Sequence, residues 1–180
     1  MRSEHRDTKS ASLHLSYATP GVTSLATEEW VPPRSGYRVY ERTVPIGAGD
    51  EIWNAAREAL MSWGVKTRSG FRVETDEEVA TTVIKGNSYW LIALLGFISV
   101  REPVRIVDVV DEAARCGFAY GTLEGHPISG EEAFFVHRSG AGVFLTIRSL
   151  TRPGNGKWKV AYPIVLIAQH WYRRRYLRAL

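Results

Sequence analysis

The chain has 180 residues, 44% of them hydrophobic and 23% charged, which suits one soluble globular domain and excludes wholesale disorder. A single cysteine, Cys116, excludes an internal disulfide and a cysteine-rich metal site. The net charge of +4 is modest and gathers at Arg173, Arg174, Arg175 and Arg178, so it implies a local basic patch rather than a generally electropositive surface.

In chain order, residues 1–12 read as a disordered tail, and the Ser/Thr-rich, Pro-containing stretch up to residue 35 as an extended arm belonging to a single domain over residues 13–180. Met1–Ser10 lacks the apolar core of a secretory signal. The most hydrophobic stretch, Trp90–Val100, is far shorter than the roughly 20 residues of a spanning helix. A cytoplasmic location without membrane insertion is therefore expected. Tyr37–Ile46, rich in β-formers and followed by Gly47-Ala48-Gly49, reads as the first strand. Asp50 then opens a shorter helix near residues 50–63, with Ile52, Ala56, Ala59, Leu60 and Trp63 on one face. Asp50 is the expected N-cap and Gly64 the left-handed stop.

From Gly70 onward the period becomes two. Phe71–Glu74, Val79–Ile84, Leu91–Phe97, Val104–Val110, Gly117–Leu123, Ala133–Arg138 and Val143–Leu150 read as strands. With no helices between them, they must pair mainly as antiparallel neighbours. Pro163 suits the first turn of a closing helix that runs from Ile164 to Leu180. Val165, Leu166, Ala168, Tyr172, Tyr176, Leu177 and Leu180 form its apolar face, with Gln169 at the middle and Arg173 beside it; Arg174, Arg175 and Arg178 face away with Trp171. That face has to be buried, and the sheet is the only large partner. The expected fold is α+β: a curved antiparallel sheet wrapped around a long C-terminal helix, a helix-grip arrangement whose concave space suits a small molecule.

The segment Gly117-Phe118-Ala119-Tyr120-Gly121-Thr122-Leu123-Glu124-Gly125-His126-Pro127, followed by Gly130-Glu131-Glu132-Ala133-Phe134, resembles the signature of the family catalogued as domain of unknown function nineteen-ninety. So do Leu15-Ser16-Tyr17, Ser149-Leu150-Thr151-Arg152-Pro153, Gln169 and the closing Arg175-Tyr176-Leu177-Arg178-Ala179-Leu180. The resemblance covers nearly the whole chain and departs at Tyr89–Val100, which is unusually apolar here. It implies a fold like that of the START and birch-pollen-allergen superfamily. It transfers no activity and no catalytic residues; members of the wider superfamily bind lipids, hormones and polyketides, and some catalyse cyclisations or hydrolyses.

Three function classes stay open. In the first, a small hydrophobic or amphipathic molecule sits between sheet and C-terminal helix, held by Tyr120, Thr122, Gln169 and Arg173 and walled by Trp63, Phe118 and Tyr172. In the second, an enzyme of hydrolase or cyclase type uses His126 with Glu131 or Glu132 as an acid–base pair. The same glutamates could instead brace the Gly125–Gly130 turn by accepting its backbone N–H groups, and Gln169 and Arg173 could pair with Glu131, Glu132 or Tyr120. In the third, a structural or partner-binding domain uses the arm or the basic helix face. No cofactor and no metal are expected, since His126, Glu131, Glu132 and His137 lack recognised ligand spacing. No nucleic acid is expected either, because basic residues interleaved with aromatics are not spread over several elements. Cys116 has no nucleophile motif around it.

Overall fold

The computed structural model describes residues 9–33, 36–76, 78–95 and 98–180, so most of the expected tail lies outside the described residues. Ser10–Ser12 form a short 3-10 turn in which Ser10 is buried and its N–H donates to Asp76 Oδ1 at 2.9 Å. Ordered chain thus precedes the expected boundary at residue 13.

Seven strands make one antiparallel sheet: β1 (Arg38–Ala48), β2 (Phe71–Glu74), β3 (Ser88–Leu95), β4 (Ile98–Asp111), β5 (Arg115–Thr122), β6 (Ile128–Ser139) and β7 (Gly142–Pro153). From β2 to β7 each strand pairs with the next in sequence, as strands joined without helices must. β1 instead lies beyond β7, at the opposite edge from β2. The chain therefore crosses the whole sheet between β1 and β2, and it does so through α1 (Gly49–Met61) and α2 (Gly64–Thr67). After β7, α3 (Lys157–Tyr176) returns across the same face, which completes the helix grip on the curved sheet.

Alternation sorts the strands into two faces. Phe118, Phe134, Val136, Leu145 and Ile147 point toward the helices and pack with Trp53, Ala56 and Leu60 of α1 and Tyr172 and Tyr176 of α3. Trp63 is fully enclosed, with edge-on rings at 4.9 Å from Tyr89 and 5.0 Å from Phe118, contacts each worth about 0.5–1.5 kcal/mol beyond area burial. Ala119, Ala133 and Phe135 point the other way, where Leu25 of the N-terminal arm covers them.

Several local expectations are corrected. α1 starts at Gly49 from an extended Ala48 without a side-chain cap; Asp50 sits in the first turn and pairs with Arg138 at 2.5 Å. Ile52 is exposed, and Trp53 takes its place in the core. The left-handed residue after α1 is Trp63 (φ 64°), not Gly64. Gly64 is required for a different reason: a Cβ there would lie 2.5 Å from the Ala59 carbonyl oxygen. Val79–Ile84 is not a strand. Only Val83 of its apolar residues is buried, a lone bridge joins Val79 to Glu74, and the Tyr89 hydroxyl caps the segment at Thr82 and Ile84. β4 begins at Ile98 rather than Val104, running through Pro103, and the expected end of β3 at Phe97 lies outside the described residues. α3 begins six residues before Pro163, which therefore sits inside the helix and leaves one carbonyl without its helical N–H.

Candidate functional site

Between the sheet and α3 lies a cavity of about 180 Å³. Ala161, Val165 and Ala168 of α3, Phe71, Ala93 and Val100 of the sheet, and the turn residues Pro127 and Ile128 give it a mostly apolar wall. An apolar cavity of about 150 Å³ already accepts a benzene-sized guest. The polar groups on this wall fall into two sets.

The first set is closed on itself. α2 carries Lys66 under the sheet, and its ammonium, 1% exposed, donates to Tyr120 Oη at 2.6 Å, Tyr176 Oη at 2.8 Å and Glu132 Oε2 at 3.0 Å. Tyr120 also donates to Glu132. The rings of Phe71, Tyr120, Phe134 and Tyr176 surround the cation, with centroids 4.2–5.0 Å away. Three donors thus meet three acceptors, and the aromatic faces supply further negative potential. Burial pulls the Lys66 ammonium below its ordinary range while Glu132 pulls the other way. Burial pushes the Glu132 carboxyl up, but Lys66, Tyr120 and Arg173 outweigh it and hold the group ionised. Burial, then Glu132, drives both tyrosine hydroxyls well upward, so they stay neutral.

The second set is open. His126 Nδ1 accepts the Ile128 backbone N–H at 3.0 Å, which leaves the proton of the neutral ring on Nε2. That Nε2 is buried without a hydrogen-bond partner, and its nearest acidic group is Glu102 Oε2 at 3.7 Å. Burial, followed by the Lys66 charge, lowers the His126 ring to about 3, so it stays neutral at physiological pH. Tyr172 Oη is likewise buried and unpartnered, and the side chains of Glu102 and Gln169 form no hydrogen bond with the described residues. All four line the cavity.

Burial raises the Glu102 carboxyl to about 7, against the pull of Lys66 and with a further push from Glu132. The folded protein therefore holds this proton more tightly than the unfolded chain, where the group titrates near 4.5. The contribution to stability is intact below that lower value, declines as pH rises toward about 7, and is flat above it. Glu102→Gln should leave thermal stability unchanged at pH 4.5 and raise it by about 2 kcal/mol, or roughly 4–8 °C, above pH 8. Equal shifts at both pH values would contradict the assignment.

The expected site residues divide. Tyr120, Gln169, Tyr172, His126 and Glu132 meet at the cavity. Glu131 does not: alternation turns it to the opposite face, where its carboxylate accepts Tyr17 O–H at 2.7 Å, the Gly21 and Thr23 N–H groups at 2.8 Å each, and the Thr23 hydroxyl. It anchors the arm rather than the Gly125–Gly130 turn. That turn is braced by Thr122, whose hydroxyl accepts the Gly130 N–H at 2.9 Å, and by His126. Thr122 also meets Ser16 Oγ at 2.6 Å, away from the cavity. Arg173 is half-buried, but it stacks on Tyr40 at 4.0 Å and donates to Ser149 Oγ at 2.7 Å instead of lining the cavity. Phe118 and Trp63 belong to the solid core beneath it. His126 and Glu132 share the wall without a bond between them; the carboxylate near the imidazole is Glu102. Cys116 is buried, and burial with Asp111 pushes its thiol up to about 12, which removes a thiolate from the chemistry.

Lys66 and Glu102 were not among the expected site residues. Lys66 follows a helix in the unpatterned stretch Val65-Lys66-Thr67-Arg68. Glu102 had a readable signal, since Val100, Glu102, Val104 and Ile106 share one parity and put a carboxylate in an apolar row. Pro103 disguised it as a strand break.

Comparison with known proteins places the chain in a family and finds a solved structure of similar fold. The family described as "Domain of unknown function (DUF1990)" matches residues 16–179. A UPF0548 protein of Deinococcus radiodurans is 30% identical over 175 residues, covering 92% of this chain and 85% of its own. A hypothetical protein of Helicobacter pylori, whose crystal structure is known, is 10% identical with a TM-score of 0.54, over 78% of this chain and 86% of that one. Ara h 8.0201 is 11% identical with a TM-score of 0.49, over 78% of this chain and 96% of that one.

Proposed function

Starting from its membership of the DUF1990 family, we propose that this chain binds a small, largely apolar molecule carrying one polar end, held in the cavity beneath α3. One observation carries the reading: Glu102, His126, Gln169 and Tyr172 line an otherwise apolar cavity with hydrogen-bonding capacity that no described residue uses. A buried polar group left unpaired costs about 1–3 kcal/mol, so the buried His126 Nε2 and Tyr172 Oη, with the partly exposed Glu102 and Gln169 beside them, favour a guest that pairs with them. His126 Nε2–H and Tyr172 O–H are donors, and Glu102 donates too below its midpoint. A carbonyl or hydroxyl oxygen on the guest answers them. A carboxylate guest would compete with ionised Glu102 and would bind better at low pH.

Native mass spectrometry of freshly purified protein should show a retained small molecule, and the fluorescent probe anilinonaphthalene sulfonate should bind in its place. Ala168→Trp fills the cavity from α3 and should abolish probe binding. Gln169→Leu should weaken a medium-chain alcohol by about 5–30-fold, the equivalent of one lost hydrogen bond. Probe binding unaffected by Ala168→Trp would overturn the reading.

A catalytic reading rests on the Glu102–His126 approach: a carboxyl near 7 beside a neutral imidazole in a cavity is suited to moving a proton. It uses Glu102 in place of Glu131 or Glu132. Single turnover of an ester or aldol-type substrate, lost in Glu102→Gln while probe binding persists, would distinguish it from simple binding.

A further inference from the structure

The outward side of α3 is uncommonly apolar. Val160 (87% exposed), Ile164 (72%), Ile167 (72%) and Trp171 (46%) follow one another at spacings of four, three and four residues, so they form a single stripe about 16 Å long on one side of the helix. Large side chains exposed in a row, as opposed to singly, mark a contact surface. The stripe is framed by exposed Lys157, Lys159, Arg174, Arg175 and Arg178, with the Arg175 guanidinium stacked 4.6 Å from the Trp171 ring. From Arg152 to Leu180 there are seven basic residues and no acidic one, although the whole chain carries only +4. The rest of the chain is therefore net acidic, and the net positive excess comes from this element and its approach.

We propose that the outward face of α3 docks on an anionic lipid surface, with the Val160–Trp171 stripe entering the headgroup boundary and the basic residues meeting lipid phosphates. A bilayer supplies both an apolar phase for isoleucine and valine and negative charge for the arginines. Nucleic acid supplies only the charge. A second copy of the chain supplies only the apolar face: an antiparallel pairing sets Lys157 and Lys159 against the partner's Arg174 and Arg175, and a parallel one sets like against like. The helix lies on such a surface without crossing it, since no helix among the described residues is long and apolar enough to span a membrane. The neighbouring face of the same helix roofs the cavity, and Ile164 of the stripe also lies at the cavity rim, so docking extends the binding reading, but its test does not depend on that reading.

Co-sedimentation with vesicles of phosphatidylcholine alone, and with phosphatidylglycerol added, tests the proposal. Anionic vesicles should bind at least about ten-fold more strongly, and added salt should weaken the interaction. The double variant Val160→Asp, Ile167→Asp should lower binding by about ten-fold with an unchanged melting temperature, because both positions are exposed and contribute nothing to the core. Arg174→Glu with Arg178→Glu should erase the preference for anionic vesicles. The proposal fails if both vesicle types bind equally or if the aspartates change nothing. It also fails if light scattering shows a dimer that the aspartates dissociate while vesicles are ignored, which would assign the stripe to a second copy.

Discussion

Lys66→Met should destabilise the fold by about 3–5 kcal/mol, because among the described residues the ammonium is the only cation hydrogen-bonded to the buried Glu132 carboxylate. With Lys66 gone, Glu132 keeps Tyr120 as a donor and the more distant Arg173 charge, but loses its hydrogen-bonded counter-charge in a surrounding of aromatic rings. Its carboxyl must then rise, so the folded variant takes up a proton that the unfolded chain releases. The sign follows: the loss should be largest at neutral and alkaline pH and should ease as pH falls toward 5. Adding Glu132→Gln removes the stranded charge while preserving an acceptor for Tyr120, and the double variant should regain most of the loss. Chemical denaturation of the four proteins in the cycle measures the coupling, which should exceed about 2 kcal/mol. A Lys66→Met protein within 1 kcal/mol of wild type would show that the cage needs no cation.

The other large effect concerns the opposite face. Glu131→Ala leaves four donors of the arm without their acceptor, among them the buried Tyr17 hydroxyl and the N–H and hydroxyl of Thr23. The expected cost is about 3–5 kcal/mol, together with release of the arm from the sheet. Release would uncover Ala119, Ala133 and Phe135, which Leu25 now shields. Limited proteolysis followed by mass spectrometry should find new cuts between residues 14 and 30. Arg148 also holds the arm, donating to the carbonyls of Ser24, Thr27 and Glu28, so cuts should concentrate ahead of Ser24. Unchanged protease resistance and an unchanged melting temperature would refute the anchoring role.

Much of the fold was legible because its signals are local. Period-two alternation marks β5, β6 and β7 within a few residues, and strands that follow one another without helices have no easy alternative to antiparallel pairing. The expectation that Gln169 faces inward came from helical geometry, and Gln169 does line the cavity. The remainder depends on tertiary contact. Nothing near Lys66 in sequence announces a cage whose rings come from β2, β5, β6 and α3. Arg173 shows the opposite failure: its wheel position pointed inward, but Tyr40 of the edge strand β1 intercepts it. Pro163 misled by a correct rule, since proline is welcome in a first turn, yet here the helix had already begun at Lys157.

Consecutive Glu131 and Glu132, serving opposite faces of β6, make this strand a self-checking ruler. A slip by one residue in one direction would bring Glu132 to the arm and Ala133 to Lys66; in the other it would bring Glu131 to Lys66 and Gly130 to the arm. Either misalignment satisfies one polar slot and empties the other, and it also turns Phe134 and Val136 away from the interior. Only a single alignment of the strand fills both slots at once, so errors in assembling the middle of the sheet are penalised from two sides simultaneously.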